Sequence, residues 1–204
     1  MMSGVQRLGD LPLSARELPQ ERGDAARNRE LLLHAARRLV SQYGADAVTM
    51  DDVAAAAGVG KGTLFRRFGS RAGLMMVLLD EDERASQQAF LFGPPPLGPD
   101  APPMDRLVAF GRSRLCFVHA HHGLLLASRG DPLNRHIGAA AVQRTHVRVL
   151  LQAAQTSGDL EVQADALLAL LDVDYVEHQL NYGGHTLDTL GDAWESLARK
   201  LCGR

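Results

Sequence analysis

Apolar residues fall into a regular pattern from about position 24, where they begin to recur at intervals of three and four. This spacing predicts an amphipathic helix that ends at Gly44, a residue that tolerates a left-handed turn. Residues 1–24 show no such period, and their prolines and scattered charges predict a mobile arm. The apolar stripe of the helix consists of Leu32, Ala35, Ala36, Leu39, Val40 and Tyr43.

Capping residues and prolines divide the remainder of the chain. Thr49 can cap a second helix, with Asp52 three residues later completing the reciprocal bond, and Ser70 can cap a long helix that runs to about residue 90. Six of the nine prolines lie in 93–103, which predicts a loop. No strand pattern is visible, so the predicted fold class is all-α. The further predicted helices are a short one over 61–68 and longer ones over about 104–121, 133–156, 163–181 and 186–201.

The segment 49–68, TMDDVAAAAGVGKGTLFRRF, has the features of a helix-turn-helix. Small residues at 54–57 allow two helices to cross closely, and Gly58 suits the positive φ of the turn. In the second helix, Leu64 and Phe68 can be buried while the opposite face stays cationic. Such a helix fits the major groove of DNA, where arginine and lysine donate to guanine. At this stage, two ordinary helices with a solvated basic face explain the pattern as well.

Charge is distributed unevenly along the chain. Residues 25–72 contain eight basic and four acidic residues, a net charge of +4, whereas 1–24 carry −1 and 73–204 carry −5, which together give the overall −2. A basic segment joined to an acidic body indicates that one end of the molecule contacts a polyanion.

Residues 27–75 resemble the N-terminal DNA-binding region of the tetracycline-repressor (TetR) family. The resemblance rests on T-x-x-x-[IV]-A-x-x-[AV]-G-[VI] over 49–59, K-G-T-[LI]-[YF]-x-x-F over 61–68 and S-[KR]-x-x-L over 70–74. It implies an all-helical homodimer, with a three-helix DNA-binding domain at 25–72. It also implies a larger ligand-binding and dimerisation domain at 73–204, and release from the DNA operator when a small-molecule inducer binds.

The resemblance also implies which residues contact DNA. Thr49 and Arg71 would meet phosphates, Lys61 and Thr63 the backbone or base edges, and Phe65 a sugar or a thymine methyl. Helix geometry adds Arg66, and the low helix propensity of Gly60 and Gly62 suggests a close approach of backbone to DNA. The family commonly has Ser at position 60, Tyr at 65 and His at 67, so base preferences do not transfer. The predicted contacts are Thr49, Gly60, Lys61, Gly62, Thr63, Phe65, Arg66, Arg67 and Arg71.

Two further sets of residues are predicted in the C-terminal part. Polar groups set within apolar helices suit a largely apolar ligand cavity with a few orienting groups. Apolar stripes on the last two predicted helices exceed what a small body can bury, and the resemblance places them against their mates in a dimer, with Trp194 as an anchor. The ligand candidates are Arg114, Phe117, His121, Tyr175 and His178. The interface candidates are Leu171, Tyr175, Leu190, Trp194, Leu197 and Leu201.

The segment 116–122, CFVHAHH, leaves three interpretations open: a metal site, histidines near the carbonyls of a helix end, or part of a ligand pocket. Its neighbours in the sequence include no acidic ligand, so no metal and no cofactor is predicted.

Several other classes of protein find no support in the sequence. No serine-nucleophile, phosphate-loop or paired-carboxylate motif indicates an enzyme. No apolar run reaches the roughly 20 residues of a membrane span, no secretion signal is present, and the two cysteines suit free thiols in a reducing compartment. A cytoplasmic protein is therefore expected. The alternative function is a helical protein that binds a partner or small molecule and has lost DNA binding.

Overall fold

The computed structural model describes residues 19–128 and 136–203 and shows ten helices within them. No strand occurs in these two ranges, so the predicted all-α class is confirmed. No helix in them is long and apolar enough to cross a membrane. The helices are α1 (Pro19–Tyr43), α2 (Met50–Ala57), α3 (Lys61–Phe68), α4 (Arg71–Phe92), α5 (Pro103–Ala120), α6 (His122–Ser128), α7 (His136–Ala153), α8 (Leu160–Ala169), α9 (Val173–Asn181) and α10 (Leu187–Leu201).

The ends of α2 follow from the residues there. Thr49 Oγ1 accepts a hydrogen bond from the Asp52 amide at 3.2 Å, and the Thr49 amide donates to Asp52 Oδ2 at 3.1 Å, which forms the predicted capping box. Thr49 Oγ1 also donates to Asp52 Oδ2 at 2.6 Å. This bond, followed by the one from the Thr49 amide, lowers the pKa of the Asp52 carboxyl. Gly58 ends α2 at a φ of 65°, so the turn to α3 has the predicted left-handed residue.

Two apolar cores organise the molecule. The N-terminal core joins α1, α2, α3 and the first half of α4, and Leu124 of α6 enters it as well. The C-terminal core is built from the end of α4, from α5 and from α7–α10. Leu74 and Leu78 of α4 lie in the N-terminal core, whereas Phe90 of the same helix lies in the C-terminal core. One unbroken helix therefore belongs to both cores.

The structure corrects several predicted boundaries. Helix α1 begins at Pro19, so only residues 1–18 of the predicted arm lie outside the description. The single helix predicted over 163–181 is two helices, because Asp172 accepts a hydrogen bond from the Asp174 amide at 2.9 Å and starts α9 anew. Helix α6 was not predicted. Of the helix predicted over 133–156, α7 covers His136–Ala153, and 133–135 lie outside the described residues.

Candidate nucleic-acid interface and ligand groove

Helix α3 presents one apolar face to the N-terminal core and an exposed face on the other side. Leu64 is fully buried and Phe68 packs beside it, as predicted. The exposed face carries Lys61, Phe65 and Arg66, and 46% of Phe65 is accessible although it is a large apolar side chain. Thr63 is half-buried. Arg66 makes no hydrogen bond or ion pair with any residue that the structure describes, so its guanidinium is free for an external acceptor.

The other cations of this region have partners within the chain. Lys61 pairs with Asp51, and both side chains are more than half exposed. Arg67 donates to the Ala25 carbonyl at 2.6 Å. Arg71 is half-buried and donates to the Val48 carbonyl at 2.8 Å and to the Ala45 carbonyl. Arg71 therefore stabilises the loop that precedes α2, a structural role that was not predicted from the sequence.

The two glycines beside Lys61 are not required by the fold. A Cβ atom built on Gly60 or Gly62 would meet no atom of this chain within 4 Å, and neither residue has positive φ. Gly60 is the N-cap of α3 without a side-chain cap, and Gly62 lies within the helix, where glycine costs up to about 1 kcal/mol relative to alanine. The fold therefore gives no reason for glycine at these two positions, and an advantage of their small size can come only from a molecule that binds at this surface.

The five predicted ligand residues fall into two groups, one at the C-terminal end of α5 and one on α9. Arg114 and Phe117 lie on α5, and His121 caps its C-terminal end. The Arg114 guanidinium lies 4.2 Å from the Phe117 ring centroid, and the Phe117 and His121 rings stack at 4.2 Å. Tyr175 and His178 belong to α9, where His178 is exposed and contacts Tyr182. The role of these five residues in ligand binding stays a prediction.

Arg114 is occupied by a buried ion pair. Its Nη1 lies 2.9 Å from Glu83 Oε2, and both side chains are more than nine-tenths buried. Burial lowers the pKa of the Arg114 guanidinium, and the neighbouring Glu83 carboxylate opposes that shift. Gln143 of α7 donates to the other Glu83 oxygen at 2.9 Å. This network joins α4, α5 and α7, and its acidic member was not identified from the sequence.

A groove of about 420 Å³ lies between the end of α4, the start of α5 and the middle of α7. Arg106 Nε and His146 Nε2 are buried there without a hydrogen-bond partner. Burial, followed by the charge of Arg106, lowers the pKa of His146 to about 4, so its ring is neutral at pH 7. This groove was not predicted from the sequence, although spacings of three and four on α7 could have indicated it. The lining residues are Leu91, Arg106, Ala141, Val142, Thr145, His146 and Val149.

The predicted interface residues divide into buried and exposed ones. Trp194 is only 2% exposed and donates from its indole nitrogen to the Leu107 carbonyl at 2.9 Å. It is therefore part of its own subunit's core, and its predicted role as an interface anchor is wrong. Leu171 and Leu190 are also buried, and Leu201 is half-buried. Tyr175 and Leu197 are 39% and 41% exposed, and they border a shared apolar cleft.

The comparison with protein-family models matches residues 32–76 to the family described as bacterial regulatory proteins, TetR family. No curated protein matches the sequence. Many solved structures share the fold. A putative transcriptional regulator from Saccharomonospora viridis in complex with choline is 19% identical, with a TM-score of 0.68 over 84% of this chain and 95% of that one.

Two further structures show the same fold. A TetR-family transcriptional regulator from Streptomyces coelicolor is 21% identical, with a TM-score of 0.63 over 92% of this chain and 98% of that one. The complex of SmeT with triclosan is 14% identical, with a TM-score of 0.61 over 85% of this chain and 90% of that one.

Proposed function

We propose, from the premise that this chain is a DNA-binding transcriptional regulator of the TetR family, that it acts as a repressor. It binds a palindromic operator as a homodimer and leaves the operator when a small molecule binds. The observation that carries the proposal is the exposed face of α3, where Lys61, Phe65 and Arg66 stand beside two glycines that the fold does not need. We assign no catalytic activity to the chain and place it in the cytoplasm with its DNA.

The exposed face of α3 suits the major groove. Arg66 is free to donate to a guanine edge, and Lys61 can exchange its exposed bond with Asp51 for a phosphate. The absence of side chains at Gly60 and Gly62 lets the start of α3 approach the DNA backbone closely. We assign Thr49, at the N-terminus of α2, to a contact with the DNA backbone that positions the complex. The remaining predicted residues are assigned to the same kind of positioning contact; they are Thr63, Phe65, Arg67 and Arg71.

Substitution at Gly62 separates this function from fold stability. Because an added Cβ meets nothing within the chain, Gly62→Ala should raise stability by up to about 1 kcal/mol through helix propensity. The same methyl group should weaken binding to the DNA upstream of the protein's own gene in a band-shift assay. Unchanged DNA affinity in Gly62→Ala would contradict the close approach of α3 to DNA.

Charge substitutions identify the contacts. Arg66→Ala should cost roughly 1–3 kcal/mol and relax base preference at one position of each half-site. Lys61→Ala should weaken binding to all sequences and flatten its salt dependence. Arg84→Ala, an exposed arginine on α4, is the control and should bind normally. Sequence-selective binding at full strength in the Lys61→Ala, Arg66→Ala double variant would refute the assignment.

The dimer is proposed to form on the surface of α9 and α10. Tyr175 and Leu197 expose apolar surface beside a cleft. Exposed apolar surface of this kind marks protein interfaces, and we propose that a second copy of the chain covers it. Leu197→Glu should therefore give a monomer at micromolar concentration in sedimentation, whereas Val162→Glu on the exposed side of α8 serves as control. A two-fold dimer predicts a palindromic operator, with half-sites separated by whole helical turns.

The ligand is proposed to bind in the groove between α4, α5 and α7. Leu91, Val142 and Val149 give it apolar walls. Arg106 supplies a cation whose Nε is buried without a hydrogen-bond partner, and it forms no ion pair with a carboxylate among the described residues. Two neighbours of the same fold were solved with small molecules, choline and triclosan. For this chain the groove chemistry favours a small apolar anion instead. The residues predicted from the sequence do not line this groove; they are Arg114, Phe117, His121, Tyr175 and His178.

Helix α4 can couple ligand binding in the groove to DNA binding, because it belongs to both cores. A ligand regulates only through different affinities for two states, so ligand and operator should bind with negative coupling of roughly 1–3 kcal/mol. Decanoate and decanol, which share a chain and differ in charge, are suitable probes. Decanoate should bind more tightly than decanol, and this difference in affinity should disappear in Arg106→Gln. The affinity for decanoate should also be lower in the presence of operator DNA. Equal decanoate affinity with and without operator would exclude this mechanism.

A further inference from the structure

Three possible metal ligands meet where the turn between α5 and α6 contacts α9. His119 lies in the last turn of α5, His122 begins α6, and Glu177 lies on α9. One ligand atom from each residue lies within 4.8 Å of the other two. Ligands around a tetrahedral zinc ion are about 3.3 Å apart when the bonds are near 2.0–2.1 Å. The two histidines are exposed, so small side-chain rotations close the remaining distance.

Hydrogen bonds already prepare one of the imidazoles for coordination. His122 Nδ1 lies 2.8 Å from the His119 carbonyl oxygen. A carbonyl can only accept, so Nδ1 carries the proton and Nε2 of the neutral ring keeps its lone pair. Donation of the second ring nitrogen to a backbone carbonyl is the usual support of a metal-bound histidine. His122 therefore offers Nε2 as the ligand atom.

The carboxylate is also oriented. Glu177 Oε1 lies 2.9 Å from His119 Nδ1, and Asn181, one turn later on α9, donates to Glu177 Oε2 at 3.3 Å. A proton now lies between the imidazole and the carboxylate. A divalent cation can displace that proton to the solvent and bind the same two atoms, which would then move from 2.9 Å to about 3.3 Å apart. The sequence alone does not reveal this acidic ligand, because Glu177 is 58 residues away from His119 and only the fold brings it near.

We infer that His119, His122 and Glu177 form a binding site for a divalent transition-metal ion, with zinc as the best match. Two imidazoles and one carboxylate are donors that zinc accepts, and the exposed position leaves room for water as the fourth ligand. The exposed Cys116, one turn before His119, is not among the three residues of the cluster. The site shares no residue with the α4–α5–α7 groove.

The place of this site in the fold connects it with DNA binding. Immediately after His122, Gly123 faces Ala45 of the loop before α2, and Leu124 enters the N-terminal core. Immediately before it, His121 Nε2 lies 3.1 Å from Asp82 of α4. A metal ion at the junction would tie these contacts to α9 in the other core. This regulatory consequence rests on the proposed function, whereas the binding site itself does not.

The test of the site uses the full chain after removal of metal with a chelator, titrated with zinc chloride alone in a calorimeter. We expect one zinc ion per chain at micromolar or tighter affinity. His122→Ala and Glu177→Gln should each weaken binding by about tenfold or more. His185→Ala removes an exposed histidine elsewhere and is the matched control. Circular dichroism checks that each variant is folded.

Two results would overturn the site: absence of zinc binding at millimolar concentration, or full affinity in both His122→Ala and Glu177→Gln. The regulatory step is tested by band shift with and without zinc, and the wild type should change its DNA affinity whereas His122→Ala should not. Zinc binding without any change in DNA affinity would refute regulation but keep the site. If the chain binds no DNA at all, the proposed function fails and the zinc titration still decides the site.

Discussion

His146 is a buried neutral histidine, and this makes the stability of the protein depend on mild acid. Its side chain packs against Phe90 and Phe110, with ring centroids at 4.5 and 5.2 Å, and its Nε2 has no partner. Burial and the charge of Arg106 lower its pKa from 6.5 to about 4. Between these two values the unfolded chain binds a proton that the folded chain does not. Stability contributed by the neutral ring is therefore lost as the pH falls through this range.

The size of the loss follows from the two pKa values. Between about pH 7.5 and about pH 5, the linkage relation gives a decrease of about 2 kcal/mol in the free energy of unfolding from this residue alone. Replacement of His146 by Phe keeps an aromatic ring against Phe90 and Phe110 and removes the titrating group. The pH dependence of the variant should then be smaller than that of the wild type by about the same 2 kcal/mol.

Urea unfolding at a fixed protein concentration measures this difference, since dimerisation would make stability depend on concentration. His34→Phe is the control, because His34 is exposed on α1 and should leave the pH dependence of the wild type unchanged. Identical pH dependence in the wild type and in His146→Phe would refute the argument.

Two further predictions concern packing and charge in the C-terminal domain. A Cβ on Gly111 would lie 2.0 Å from Trp194 Cε2, so Gly111→Ala should lower the free energy of unfolding by about 1–3 kcal/mol. Gly138→Ala is the control, because a Cβ there meets nothing within 4 Å, and thermal unfolding of both variants measures the difference. Glu83→Gln leaves the buried Arg114 without a counter-charge and should cost about 3–5 kcal/mol in urea unfolding; a loss below about 1 kcal/mol would show that the pair is not essential.

Much of the N-terminal half could be predicted from the sequence, because local chemistry decides it. The Thr49 capping box, the left-handed Gly58 and the buried Leu64 each depend on residues within a few positions. The break between α8 and α9 has an equally local cause in Asp172, but the apolar pattern continues across it and predicts a single helix.

The sites of the C-terminal half depend on contacts between distant segments. Glu83 meets Arg114 across 31 residues, and Glu177 meets His119 across 58. No spacing in the sequence encodes these distances, which depend on how the helices pack. Trp194 shows a related limit: an apolar stripe predicts burial, but it does not say whether the chain's own core or a second subunit covers the stripe.

Helix α4, with Leu74 and Leu78 in one core and Phe90 in the other, also bears on how the molecule unfolds. Its 22 residues form one continuous ladder of backbone hydrogen bonds, and neither core can lose its share of α4 without breaking that ladder. Separate melting of the two halves is therefore disfavoured. Heating should give a single calorimetric transition. The van't Hoff enthalpy of that transition should equal its calorimetric enthalpy, as expected when both cores unfold together.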